Sequence, residues 1–161
     1  EAKLKALSDI VDSAAEDERK LVVIARFLPE IDAIRRMLEK KRINYSVISG
    51  EIKDRDEQVR RFQTDPDTTV FVGQIATAGL GITLTAADTM VFYSLDYSMS
   101  NFEQAKARIH RVGQRCPCTY LYLVAAGTVD EKVLQALIDK ADLARILIDE
   151  YRAGRNPFQP D

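Results

Sequence analysis

Three side chains in the segment QAKARIHRVGQ, residues 104–114, have the types and spacing for phosphate chemistry. Gln104, Arg108 and Arg111 stand at i, i+4 and i+7, so on a helix they share one face, while Ala105, Ile109 and Val112 share another. Two guanidinium groups held side by side repel each other unless an anion comes between them. A triphosphate suits that place, because the planar fork of arginine matches phosphate oxygens and can stabilise charge that builds up during phosphoryl transfer. The same spacing also describes a solvated basic helix face, and spacing alone leaves both readings open.

A second candidate lies upstream in ATAGLGITL, where Gly79 and Gly81 remove side chains from a loop that follows a strand. Such glycines serve either a tight turn or the close approach of backbone to a phosphate or ribose. No Gly-Lys-Ser/Thr follows, so the loop is not a Walker loop, and it lacks the GxGxxG of a dinucleotide fold. His110 has no catalytic partner in the sequence and reads as a packing or hydrogen-bonding residue.

The elements that must position these residues alternate along the chain. Leu4, Leu7, Val11 and Ala14 recur at helical spacing in residues 1–18, and LVVIAR at 21–26 is a nearly continuous apolar run of strand length. Pro29 opens a helix that buries Ile31, Ile34 and Leu38. YSVIS at 45–49 is strand-like, Asp54 and Glu57 form a capping box for a helix ending near Phe62, and Asp65-Pro66-Asp67 turns the chain. TVFVG (69–73), TMVFYS (89–94) and TYLYLVA (119–125) are further strands, with the helix NFEQAKARIHRV before the last of them. Thr128 and Glu131 cap a final helix with Val133, Leu134, Leu137, Ile138 and Ala141 on its inner stripe. Five strands, apolar on both faces and each followed by a helix, predict an α/β fold with a mainly parallel sheet covered on both sides. Residues 1–150 form one domain in this reading, and 151–161 a linker or frayed tail.

Composition narrows the function classes. Nearly half of the 161 residues are apolar and the net charge is −2, so one ordinary core is expected and any grip on nucleic acid must be local. Cys116 and Cys118, in CPC, are too few for a structural zinc site and read as reduced loop thiols; no other metal site is evident. With no apolar run near bilayer length, no membrane partner is expected, and the cysteines point to a reducing compartment. The acidic runs near residues 16 and 54 read as solvated helix ends. The chain starts on a helical pattern without Met and reads as a piece of something longer.

Taken together and in order, these residues resemble the C-terminal lobe of the Swi/Snf family within the superfamily 2 helicases. QAKARIHRVGQ is similar to that family's motif VI, Gln-Ala-x-x-Arg-x-x-Arg-x-Gly-Gln, at every fixed position. GQIATAGLGITLTAADTMVFYS resembles motif V and its following strand, LVVIARF resembles motif IV, and SGEIKDRDEQVRRF resembles a stretch marked by Gly50, Arg55 and Phe62. YLVAAGTVDEKVL resembles the downstream strand and helix, so the likeness runs from about residue 3 to residue 140. Departures are Ile75 at the usual motif V threonine, Thr83 where many members have Asn, and Tyr97-Ser98-Met99 for Trp-Asn-Pro. In these the chain is more similar to annealing-helicase-like and bacterial or phage branches than to chromatin remodellers.

The resemblance implies a RecA-like fold and a division of labour. Motors of this kind hydrolyse ATP between two lobes, the first holding the P-loop lysine and the carboxylates for Mg²⁺, the second supplying arginines. It implies that Arg108 and Arg111 are arginine fingers, that Gly79, Gly81 and Gln104 line the nucleotide cleft, and that Arg55, Gln74, Ala76 and Thr77 meet nucleic acid. The implied partners are an N-terminal RecA-like lobe and double-stranded DNA, with ATP and Mg²⁺ used only when that lobe is present. The fragment itself is expected to be monomeric and inactive, and its finger arginines, if they face an open cleft, should matter little for stability. A bacterial or phage parent would be cytoplasmic or nucleoid-associated, a eukaryotic one nuclear. Rival readings are an RNA helicase lobe, whose usual His/Gln-Arg-x-Gly-Arg-x-Gly-Arg differs in glycine spacing, and a non-catalytic interaction domain derived from a motor. A small-molecule α/β enzyme would need a nucleophile, base or metal cluster that the sequence does not offer.

Overall fold

A computed structural model describes residues 2–50, 54–75, 82–94, 104–109, 118–124 and 145–148. Within them the chain forms helix α1 (Ala2–Glu16), strand β1 (Leu21–Ala25), α2 (Leu28–Lys40), β2 (Asn44–Ile48), α3 (Arg55–Thr64), β3 (Thr68–Gln74), β4 (Thr89–Phe92), β5 (Thr119–Val124) and β6 (Arg145–Ile148). The strands make one sheet in the order β2-β3-β1-β4-β5-β6, and every neighbouring pair is parallel. Five of these strands are those the apolar runs predict. The sixth, RILI, is not anticipated, because three apolar residues after an arginine, without turn signals, cannot be told from helix by periodicity.

β1 is buried along its whole length because it lies between β3 and β4 and is covered on both faces. Its alternation splits the core in two. Leu21, Val23 and Ala25 face Leu7 and Val11 of α1 and Ile31, Ile34 and Leu38 of α2. Val22 and Ile24 face Phe62 of α3 together with Leu84, Ala87, Ala105 and Ile109. An edge-on pair, Phe62 and Phe71 at 5.6 Å, and a stacked pair, Phe92 and Tyr122 at 5.2 Å, fill this second layer.

The helix ends show which local signals were used. Pro29 stands in the first turn of α2, where its missing N–H costs nothing, and Glu30 Oε1 accepts from Phe27 N at 3.1 Å. The capping box expected of Asp54 and Glu57 does not form. Asp54 is the N-cap residue of α3 without a side-chain cap bond; its carboxylate accepts from Gln58 Nε2 at 3.3 Å, and Glu57 is drawn to Arg60, 2.6 Å away. The turn at 65–67 is as expected: Asp65 accepts from Asp67 N at 3.0 Å and Thr68 Oγ1 at 2.8 Å, bonds that hold its carboxyl below the ordinary aspartate range. The final helix, its caps and the tail lie outside the described residues.

Candidate functional site

Open parallel sheets bind ligands beyond the carboxyl ends of their strands, near the point where strand order reverses. Here that point is β1: the chain builds β2 and β3 on one side of it, then crosses to β4 on the other. The segment that makes the crossing leaves the carboxyl end of β3 at Gln74. Gly79, Gly81, Ala76 and Thr77 belong to this crossing segment and lie outside the described residues, as does Arg111.

Gln74 ties three strand ends together. Its Oε1 accepts from Gly50 N at 3.1 Å, just past β2, and its Nε2 donates to Arg26 O at 3.3 Å, just past β1. On the other side of β1, Arg26 N donates to Ser94 Oγ at 2.7 Å and Ser94 Oγ donates to Glu30 Oε1 at 2.6 Å. This edge is therefore organised by polar side chains bonded to backbone, which leaves the strand ends in fixed positions. Beside it Phe27 is 50% exposed, with the Arg26 guanidinium 4.9 Å from its ring centre. Neither Arg26 nor Phe27 was singled out from the sequence, although an Arg-Phe pair directly after an all-apolar strand marks such an edge.

Arg55 opens α3, half-buried, and its side chain makes no hydrogen bond or ion pair among the described residues. A cation at a helix N-terminus faces the positive end of the helix dipole. An anion bound there would relieve both charges.

Residues 104–107 are helical and 108–109 form a turn. The two faces separate as the spacing requires: Ala105 and Ile109 are fully buried, Gln104 is exposed and Arg108 half-buried. Cys118 closes the apolar side, its thiol donating to Ile109 O at 3.6 Å, and burial raises its pKa so that it stays protonated.

Arg108 is the link between the two candidate segments. Its Nε donates to Gln104 O at 2.8 Å and its Nη1 donates to Ile82 O at 3.1 Å. Its own carbonyl accepts from Leu84 N at 2.9 Å. Backbone and side chain of one residue thus hold residues 82–84, which continue the glycine-bearing crossing segment. Spacing could not reveal this contact, because a carbonyl acceptor has no side-chain signature. It also alters one expectation, since a half-buried guanidinium with two protein acceptors contributes to stability.

Against known proteins, the pattern of the helicase conserved C-terminal domain matches residues 2–113. The chain is 32% identical over 161 residues to the chromatin-remodeling ATPase INO80 of Mus musculus, covering 99% of this chain and 10% of that protein. It is 32% identical over 151 residues to a DNA repair and recombination protein RAD54-like of Drosophila mojavensis, covering 91% of this chain and 19% of that one. The crystal structure of the C-terminal part of the Fun30 ATPase domain superposes with a TM-score of 0.78 at 23% identity, over 88% of this chain and 46% of that one. This last is a likeness of fold. The chain spans about a tenth to a fifth of the length of these curated relatives.

Proposed function

The chain belongs to the helicase conserved C-terminal domain family, in its Swi/Snf-type group, and from that premise we propose that it supplies the arginine fingers and part of the DNA-binding surface of a double-stranded DNA translocase. The observation that carries the reading is the Arg108 junction, which couples residues 104–108 to residues 82–84.

Arg108 donates two N–H groups to neutral carbonyls. A γ-phosphate is a stronger acceptor, since charge-assisted bonds are roughly twice as strong as neutral ones. As the lobes close on ATP, Arg108 would exchange Ile82 O for phosphate, and the loosened Ile82 segment would pass that change toward the residues that meet DNA. ATP enters as substrate with Mg²⁺ held by the first lobe, while Gly79, Gly81 and Gln104 line this side of the cleft. Arg55, Gln74, Ala76 and Thr77 are proposed for the DNA side. Repeated closure then steps the parent along one strand, gripped mainly through phosphates. A eukaryotic parent would work in the nucleus.

The test uses the parent protein. Arg108→Ala or Arg111→Ala should lower DNA-stimulated ATP turnover by about 10³ to 10⁵, with far less effect on DNA binding measured by anisotropy. Arg108→Lys should rescue poorly, because it keeps the charge and loses the fork. Near wild-type turnover in both alanine variants would remove the chemical basis of the reading.

A further inference from the structure

On the face of the sheet away from α3, helices α1 and α2 enclose a groove of about 920 Å³. Its floor is apolar, formed by Leu4 of α1 and by Ala33 and Met37 of α2, and its walls carry Lys5, Arg36 and Lys40. These three cations have no hydrogen-bond or ion-pair partner among the described residues. The fourth cation of the lining, Lys41, does pair, with Asp12 at 2.8 Å, as does Arg19 elsewhere on the surface with Asp88 at 2.8 Å. Glu39, the one acid in the lining, is turned aside, its Oε2 accepting from Tyr45 Oη at 2.6 Å. A net-acidic chain therefore concentrates unpaired positive charge around one apolar trough.

We propose that this groove docks an acidic amphipathic helix of a partner protein, seating apolar side chains on Leu4, Ala33 and Met37 and pairing carboxylates with Lys5, Arg36 and Lys40. Ala33, Met37 and Lys40 follow one another at helical spacing, so the trough runs about 10 Å along α2. That length accepts about two turns of a ligand helix, with anchors at i and i+3 or i+4. A DNA duplex fits the charge but not the floor, because it offers phosphates and sugars where the groove offers apolar surface. The groove lies on the face opposite α3, so its use is independent of the ATPase reading.

The test is fluorescence anisotropy of the 161-residue chain with a labelled synthetic peptide of about 18 residues, leucines at helical i, i+3, i+7 spacing and glutamates elsewhere. Saturable binding is expected, with affinity lost about tenfold or more when the same composition is scrambled, since the apolar stripe is then broken. Arg36→Glu combined with Lys40→Glu, both exposed positions, should cost at least as much, whereas Arg60→Glu on α3 should leave affinity within about twofold. Leu4→Gln, which removes part of the floor without changing charge, should weaken binding as well. Absence of saturable binding overturns the proposal, as does equal binding of the scrambled peptide. Displacement of the peptide by a roughly 20-base-pair duplex that itself loses affinity in the Arg36→Glu, Lys40→Glu variant would also overturn it, by assigning the groove to nucleic acid.

Discussion

Arg108 donates Nη1 to the carbonyl of Ile82, 26 positions earlier in the chain, and Nε to the helix carbonyl of Gln104. One side chain thus has a structural task besides its proposed catalytic one, and the two can be separated by measurement. Hydrogen bonds from a charged donor contribute more than neutral ones, tempered here by partial exposure, so Arg108→Ala in the 161-residue chain should lower unfolding free energy by about 1 to 2 kcal/mol. Urea denaturation measures this directly, and a change under about 0.5 kcal/mol would mean that the contact with Ile82 has no energetic weight. Arg108→Lys reaches one acceptor at most and should fall between. If turnover in the parent drops with Arg108→Lys while the melting temperature holds, the loss belongs to the fork on phosphate and not to the fold.

Elements here end more tightly than their sequences require. Two residues beyond each of α1 and α2 the chain enters the left-handed region, at Glu18 with φ 56° and at Arg42 with φ 59°. The bonds Arg19 N to Ala14 O at 2.9 Å and Ile43 N to Leu38 O at 3.0 Å close each helix into its strand. Neither residue is glycine, which would take this conformation without a Cβ penalty. Glu18→Gly should therefore stabilise the chain by about 0.5 to 1 kcal/mol, the relief of left-handed strain exceeding the entropy that glycine adds to the unfolded state. In a thermal melt that is a rise of about 1 to 4 °C for a domain of this size. A fall instead would show that Glu18 is held in place by contacts worth more than its strain. The unused capping box at α3 carries the same lesson in reverse: Asp54 and Glu57 have the right spacing, yet Gln58 and Arg60 take their carboxylates.

Among the described residues the chain forms a six-stranded parallel sheet and crosses over β1, with Leu84, Ala105 and Ile109 packed into one layer. In the proposed reading a single lobe would supply arginines to one side of a cleft, while the first lobe would hold the β-phosphate. The purified 161-residue chain should accordingly show no DNA-stimulated ATP turnover, while the parent should. A phosphate-release assay with and without duplex DNA checks this. Mg²⁺-dependent turnover that survives rigorous purification of the fragment would reveal a site that the motor reading lacks.

The sequence by itself determined the layer architecture, five of the six strands among the described residues, and the family. Strands buried on both faces must be apolar throughout, as LVVIA is, and the helices between them must carry a stripe, so those elements are written in local order. The spacing of QAKARIHRVGQ likewise separates Ala105 and Ile109 from Gln104 and Arg108 without any tertiary information. Only the tertiary structure decided the strand order, the addition of RILI as β6, the tie made by Gln74, the partner of Arg108 and the cationic groove between α1 and α2. Each of these depends on which distant segment lies alongside. Backbone acceptors such as Ile82 O look the same at every residue, and Lys5 and Arg36 become one surface only when two helices pack together.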